Sequence, residues 1–129
     1  MRDNEPAMSK VVFCEDDPMI QKLIRVAMRS EAHEIYVAAD GLEGLELIRR
    51  EQPAVVFTDV SMPGLDGYQL AAELTADPRT AHIPIVFMTA SVHRSQLESA
   101  EHYGAAGVLS KPFSTSELRR RVAELTAPG

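Results

Sequence analysis

Residues 54–70 read AVVFTDVSMPGLDGYQL. The run Ala54–Thr58 is almost continuously apolar and β-branched, without the alternation of a half-exposed strand. Such a run reads as a strand covered on both faces. It ends in a carboxylate, Asp59, and a carboxylate at the edge of a buried strand destabilises the fold unless it has a task. Met62-Pro63-Gly64-Leu65-Asp66-Gly67 then reads as a loop that launches a helix, whose inward positions are Leu70, Ala71 and Leu74.

The same unit recurs on either side. Val11–Cys14, Ile35–Ala38, Ile83–Thr89 and Val108–Ser110 are four further short apolar runs. Ile20, Leu23, Ile24, Ala27 and Met28 fall on one face of a first helix. Leu42, Leu45 and Ile48 mark a second, and Leu118, Val122 and Leu125 a fifth. Val92 to Tyr103 is the weakest pattern, with Leu97 and Ala100 as its inward pair. Asp17-Pro18, Asp40 and the capping box Ser114-Thr115-Ser116-Glu117 supply starts, and Pro53, Asp77-Pro78 and Gly104 supply stops. The expectation is an α/β fold: (βα)5, a doubly wound parallel sheet with right-handed crossovers and helices on both faces. Residues 1–9 read as a polar tail, 10–126 as one domain and 127–129 as a short C-terminal tail.

Composition narrows the function. With 45% hydrophobic and 25% charged residues, the chain has the balance of a soluble globular protein and is not mostly disordered. No apolar run reaches the ~18–20 residues that span a bilayer. The opening MRDNEPAMSK has no apolar stretch, which predicts no secretory signal. A single cysteine, Cys14, fits a reducing cytoplasm and reads as an inert core residue. A net charge of −6 argues against direct nucleic-acid binding.

The polar residues collect after the strands: Glu15-Asp16-Asp17 after the first, Asp59 at the third, Thr89 at the fourth, and Ser110-Lys111-Pro112 at the fifth. Ligands bind outside the carboxyl ends of such a sheet, where strand order reverses. In the order 2-1-3-4-5 the acids converge. Gathered carboxylates repel unless a cation intervenes, and an all-oxygen set without histidine or thiolate selects Mg²⁺ or Mn²⁺ over zinc. A lysine and a hydroxyl opposite the metal predict a phosphoryl group, with Asp59 placed as its nucleophile.

The motifs VVFCEDDP, VFTDVSMPGLDGYQL, IPIVFMTA and GAAGVLSKPF, over about residues 10–126, resemble the receiver domains of two-component response regulators. The resemblance implies the flavodoxin-like receiver fold and phosphorylation of Asp59 by a histidine kinase or histidine phosphotransfer protein. It implies Mg²⁺ held by Asp16 and Asp59, with Glu15 acting through a water and Ser61 through its backbone carbonyl. Thr89 and Lys111 would contact the phosphoryl group, and Lys111-Pro112 would be a cis peptide. Asp17 reads mainly as a helix cap. Ile20 is a candidate for docking the phosphodonor protein. Val108 stands where many receivers carry a switching aromatic ring, so the expected switch works by backbone movement of the loop Ala90-Ser91-Val92-His93 and the fourth helix; the alternative is a weak switch whose main role is to pass phosphate onward. A downstream protein partner would read the face of the fourth helix, fifth strand and fifth helix.

Each feature has a plainer reading: an acidic pair after a strand is commonly a solvated turn, and Arg119-Arg120-Arg121 a solvated helix face. His33, His82, His93 and His102 show no metal spacing and read as surface residues. An aspartate-nucleophile phosphatase would want a second acid two residues after Asp59, where Ser61 stands. A flavin binder would want a Gly- or Ser/Thr-rich loop after the first strand, where acids stand. A phosphorylation-independent binding module would have lost one of the acids, Thr89 or Lys111. The expectation is therefore a signalling switch that assists only its own phosphorylation and dephosphorylation. The chain reads equally as a single-domain regulator or as a receiver excised from a longer protein.

Overall fold

The structure, a computed structural model, describes residues 9–90 and 93–127. Five strands, β1 (Lys10–Cys14), β2 (Glu34–Ala38), β3 (Val55–Asp59), β4 (Ile85–Thr89) and β5 (Gly107–Ser110), alternate with five helices. These are α1 (Pro18–Met28), α2 (Gly41–Glu51), α3 (Gly67–Ala76), α4 (Arg94–His102) and α5 (Thr115–Thr126). All strand pairs are parallel, in the order β2-β1-β3-β4-β5. This is the doubly wound sheet expected from the sequence.

The pleat divides the core into two layers. Val11, Phe13, Val55, Phe57, Val86, Met88 and Leu109 face α1 and α5, meeting Ile24, Ala27, Leu118 and Val122. Val12, Cys14, Val56, Ile85 and Phe87 face the other side, meeting Leu45 and Ile48 of α2, Leu70 and Leu74 of α3, and Ala100 of α4. Phe13 stacks on Phe57 with ring centroids 5.2 Å apart, and both are fully buried. Each such side chain contributes roughly 1.5–3 kcal/mol of burial. Gly44 lets α2 lie close to β1, since a Cβ there would meet the Cys14 sulfur at 2.4 Å.

The caps follow the sequence with one addition. Asp17, Asp40 and Ser114 accept backbone N–H groups at the starts of α1, α2 and α5. The reciprocal capping box, however, forms at Asp66 and Gln69 of α3, each side chain bonding the other's backbone.

Three expectations are corrected. β4 begins at Ile85, because Ile83 donates its N–H to Thr80 in a turn and Pro84 has no N–H to give. Leu42 is 62% exposed, because it lies one position into α2 on the side turned away from the sheet. Leu97 is 47% exposed, leaving Ala100 alone to bury α4. The expected start of the fourth helix at Val92 and part of the loop Ala90-Ser91-Val92-His93 lie outside the described residues, as does all of the N-terminal tail except Ser9.

Candidate functional site

β1 and β3 are direct neighbours, with Cys14 opposite Thr58, so the residues that follow them meet. Carboxylate oxygens of Glu15, Asp16 and Asp59 lie within 4.8 Å of one another. The three differ in burial. Glu15 is fully buried, Asp59 is partly covered and Asp16 is exposed. Asp17 stands apart as the cap of α1, accepting the Met19 N–H at 2.8 Å.

Lys111 follows β5, two strands from Asp59, and its long side chain crosses the end of β4. Its Nζ lies 2.5 Å from Glu15 Oε1 and 3.0 Å from Asp59 Oδ2. One ammonium thus joins two carboxylates from different strands. Burial alone would push the lysine down, but its bonds to Glu15 and Asp59 outweigh this and hold it above its ordinary value. Burial pushes the Glu15 carboxyl up, offset only in part by Lys111 and by the Asp17 N–H at 3.0 Å. The Lys111–Pro112 peptide is cis.

Thr89 is buried at the end of β4, and its carbonyl accepts the Lys111 N–H at 2.8 Å. Ser61 is exposed and, with Asp16, Val60, Met62, Pro63, Asp66 and Tyr68, lines a shallow depression of about 490 Å³ beside the acids. Ile20 is half-buried against the α1–α5 layer and Val108 half-buried against the other. The structure therefore brings Glu15, Asp16, Asp59 and Lys111 into one cluster, with Thr89 and Ser61 on elements that border it.

Three supporting residues escaped the sequence reading. The Gln21 side chain donates to the Glu15 carbonyl at 2.7 Å, pinning the acidic turn to α1. The buried Thr58 hydroxyl donates to the Asp59 carbonyl at 3.0 Å. A hydroxyl inside a covered strand must find such a partner, and that was the signal available. Gly67 packs against the backbone of Asp59: a Cβ there would lie 2.3 Å from the Asp59 carbonyl oxygen. Cys14 lies beneath the site, and burial pushes its thiol up to about 12, which suits an inert residue. Two of the three arginines of α5 are more than a solvated face: Arg119 donates to the Ala27 carbonyl and Arg121 to that of Val108.

The donor set fits a hard divalent cation. It is all oxygen, it gathers excess negative charge, and its exposed member leaves a side open to solvent. Among the described residues, no helix is long and apolar enough to cross a membrane.

The response regulator receiver domain family matches residues 11–123. The chain is 30% identical over 118 residues to the DNA-binding dual master transcriptional regulator RpaA of Synechocystis, covering 92% of this chain and 49% of that protein. It thus spans about half the length of that relative. It is 29% identical to protein PilH of Pseudomonas aeruginosa, covering 89% of this chain and 95% of PilH. Among solved structures, it superposes with a TM-score of 0.83 and 28% identity on the receiver domain of the sensor histidine kinase PA1611 of Pseudomonas aeruginosa, covering 92% and 98% of the two chains. That receiver holds a magnesium ion coordinated in its active site cleft. With the family spanning nearly the whole of the sheet and its helices, the chain belongs to the response regulator receiver domains of two-component signalling.

Proposed function

We propose that Asp59 accepts a phosphoryl group from a phosphohistidine on a histidine kinase or histidine phosphotransfer protein, in a reaction that requires Mg²⁺. The observation that carries this reading is the Lys111 ammonium, which reaches across β4 to 3.0 Å from Asp59 and also bonds Glu15, while the exposed Asp16 leaves the acid cluster open to a cation. An Asp59 oxygen forms the new P–O bond as the P–N bond of the donor breaks, and the imidazole leaves with a proton from solvent. Lys111 neutralises charge on the transferring oxygens, and the Thr89 hydroxyl donates to one of them. Asp16 and Asp59, with Glu15 through a water and the Ser61 carbonyl, would hold the metal, which supplies further neutralisation of the phosphoryl oxygens. The magnesium in the PA1611 receiver supports this assignment.

The aspartyl phosphate then changes which protein binds the α4–β5–α5 face. The chain acts on no external metabolite; it assists only transfer to and from its own Asp59. Its buried free thiol suits the cytoplasm.

Mass spectrometry after incubation with Mg²⁺ and acetyl phosphate tests the acceptor. The wild type gains one phosphoryl group, and omission of Mg²⁺ or the change Asp59→Asn reduces labelling to background. Unchanged labelling of Asp59→Asn overturns the assignment.

A further inference from the structure

Helix α4 is weakly anchored. Its N-cap residue, His93, makes no side-chain bond to the helix, and Ala100 is its buried residue. Tyr68, on α3, makes two contacts with this region. Its hydroxyl donates to Gln96 Oε1 at 2.5 Å, and its ring stacks on Tyr103, the C-cap of α4, at 5.2 Å and 16°. The same ring meets Phe87 of β4 edge-on at 5.0 Å. Val108 adds only a short branched side chain to this cluster.

Tyr68 is also tied to the acceptor strand. It is the second residue of α3, and α3 starts hard against the backbone of Asp59 and Val60. The Gly67 N–H donates to the Val60 carbonyl at 2.9 Å, and there is no room at Gly67 even for a Cβ beside the Asp59 carbonyl. A backbone shift at Asp59–Val60 therefore passes into the first turn of α3 instead of being absorbed before it.

We infer that Tyr68 is a positioning residue that couples the state of Asp59 to the position of α4, through its hydrogen bond to Gln96 and its stack on Tyr103. The inference rests on the phosphoacceptor reading above. It gives α4 a control from the α3 side, separate from Thr89 and β5.

Amide spectra with and without beryllofluoride and Mg²⁺, on the full chain, test it in the wild type and in Tyr68→Phe, Tyr68→Leu, Gln96→Ala and Gln96→Glu. In the wild type, shifts appear at residues 59–61 and across 94–102. Tyr68→Phe and Gln96→Ala keep the shifts at 59–61 but show smaller ones across α4, and Tyr68→Leu shows the smallest. Gln96→Glu retains an acceptor for the hydroxyl and restores the response. Without the mimic, Tyr68→Phe speeds amide exchange in α4 roughly fivefold, the loss expected of one hydrogen bond, and leaves α1 and α5 unchanged. Wild-type α4 shifts in every variant, with the site shifts intact, overturn the inference and leave the acceptor reading standing. No shift at 59–61 in the wild type sinks both. If Tyr68→Leu fails to fold, Tyr68→Phe and Gln96→Ala still decide, since each removes only the hydrogen bond.

Discussion

Glu15 and Asp16 are adjacent in sequence and opposite in environment. Glu15 is buried and bonded to Lys111, whereas Asp16 is exposed on the open side of the cluster. Removing Asp16 takes away a carboxylate free to reach a cation. Removing Glu15 takes away one already engaged by a lysine. Asp16→Ala should therefore weaken Mg²⁺ binding more than Glu15→Ala. Asp17→Ala should leave Mg²⁺ affinity near the wild type and cost on the order of 1 kcal/mol through the lost cap. A Mg²⁺ titration and a urea melt on the three variants check this. A larger loss of affinity in Asp17→Ala than in Asp16→Ala would mean the acids are assigned one position out of register. The cluster itself was legible in the sequence because its members gather where the short apolar runs end. Gln21 was not, because its side chain bonds to a backbone carbonyl, which leaves no mark in a pattern of side chains.

At the scale of the element, α1 carries both the cap beside the acids and the residue proposed to dock the phosphodonor. Ile20 is half-buried against the α1–α5 layer, with Met19 beside it 74% exposed. Partial burial predicts a cost for Ile20→Ala below the ~2–5 kcal/mol of a full core deletion. If the exposed part meets the donor, Ile20→Ala slows transfer from a phosphohistidine protein while leaving labelling by acetyl phosphate nearly unchanged. Equal slowing with both donors would assign Ile20 to the core alone. The helices best read from sequence were those with several inward residues, such as α1. Helix α4 was the poorest, because Leu97 matches the apolar period yet faces solvent, and its actual anchor, Tyr68, comes from another helix. Periodicity along one segment cannot register a tether supplied by a different one.

At the scale of the molecule, the order β2-β1-β3-β4-β5 expected for the fold brings the acids together as the sequence reading required, but the ties between elements at the opposite end of the sheet had no such signal. Glu51, the last residue of α2, accepts from Lys10 of β1 at 3.1 Å and from the Tyr36 hydroxyl of β2 at 3.2 Å, and Arg50 adds a bond at 2.9 Å. This joins three elements at one carboxylate. The bonds from Arg50 and Lys10, aided by Tyr36, hold the Glu51 carboxyl down from its ordinary 4.5 to about 2. A carboxyl lowered by folding stabilises the protein above its unfolded value, and that contribution is lost as pH falls toward the folded value. Glu51→Gln should therefore be less stable than the wild type near neutral pH, and the gap should narrow as pH falls from about 5 toward about 3. Because the group lies at the surface, added salt should also narrow the gap at neutral pH. Urea midpoints of both proteins across this range provide the check. A gap that stays constant down to about pH 3 would show that Glu51 acts through packing of its side chain and not through its charge.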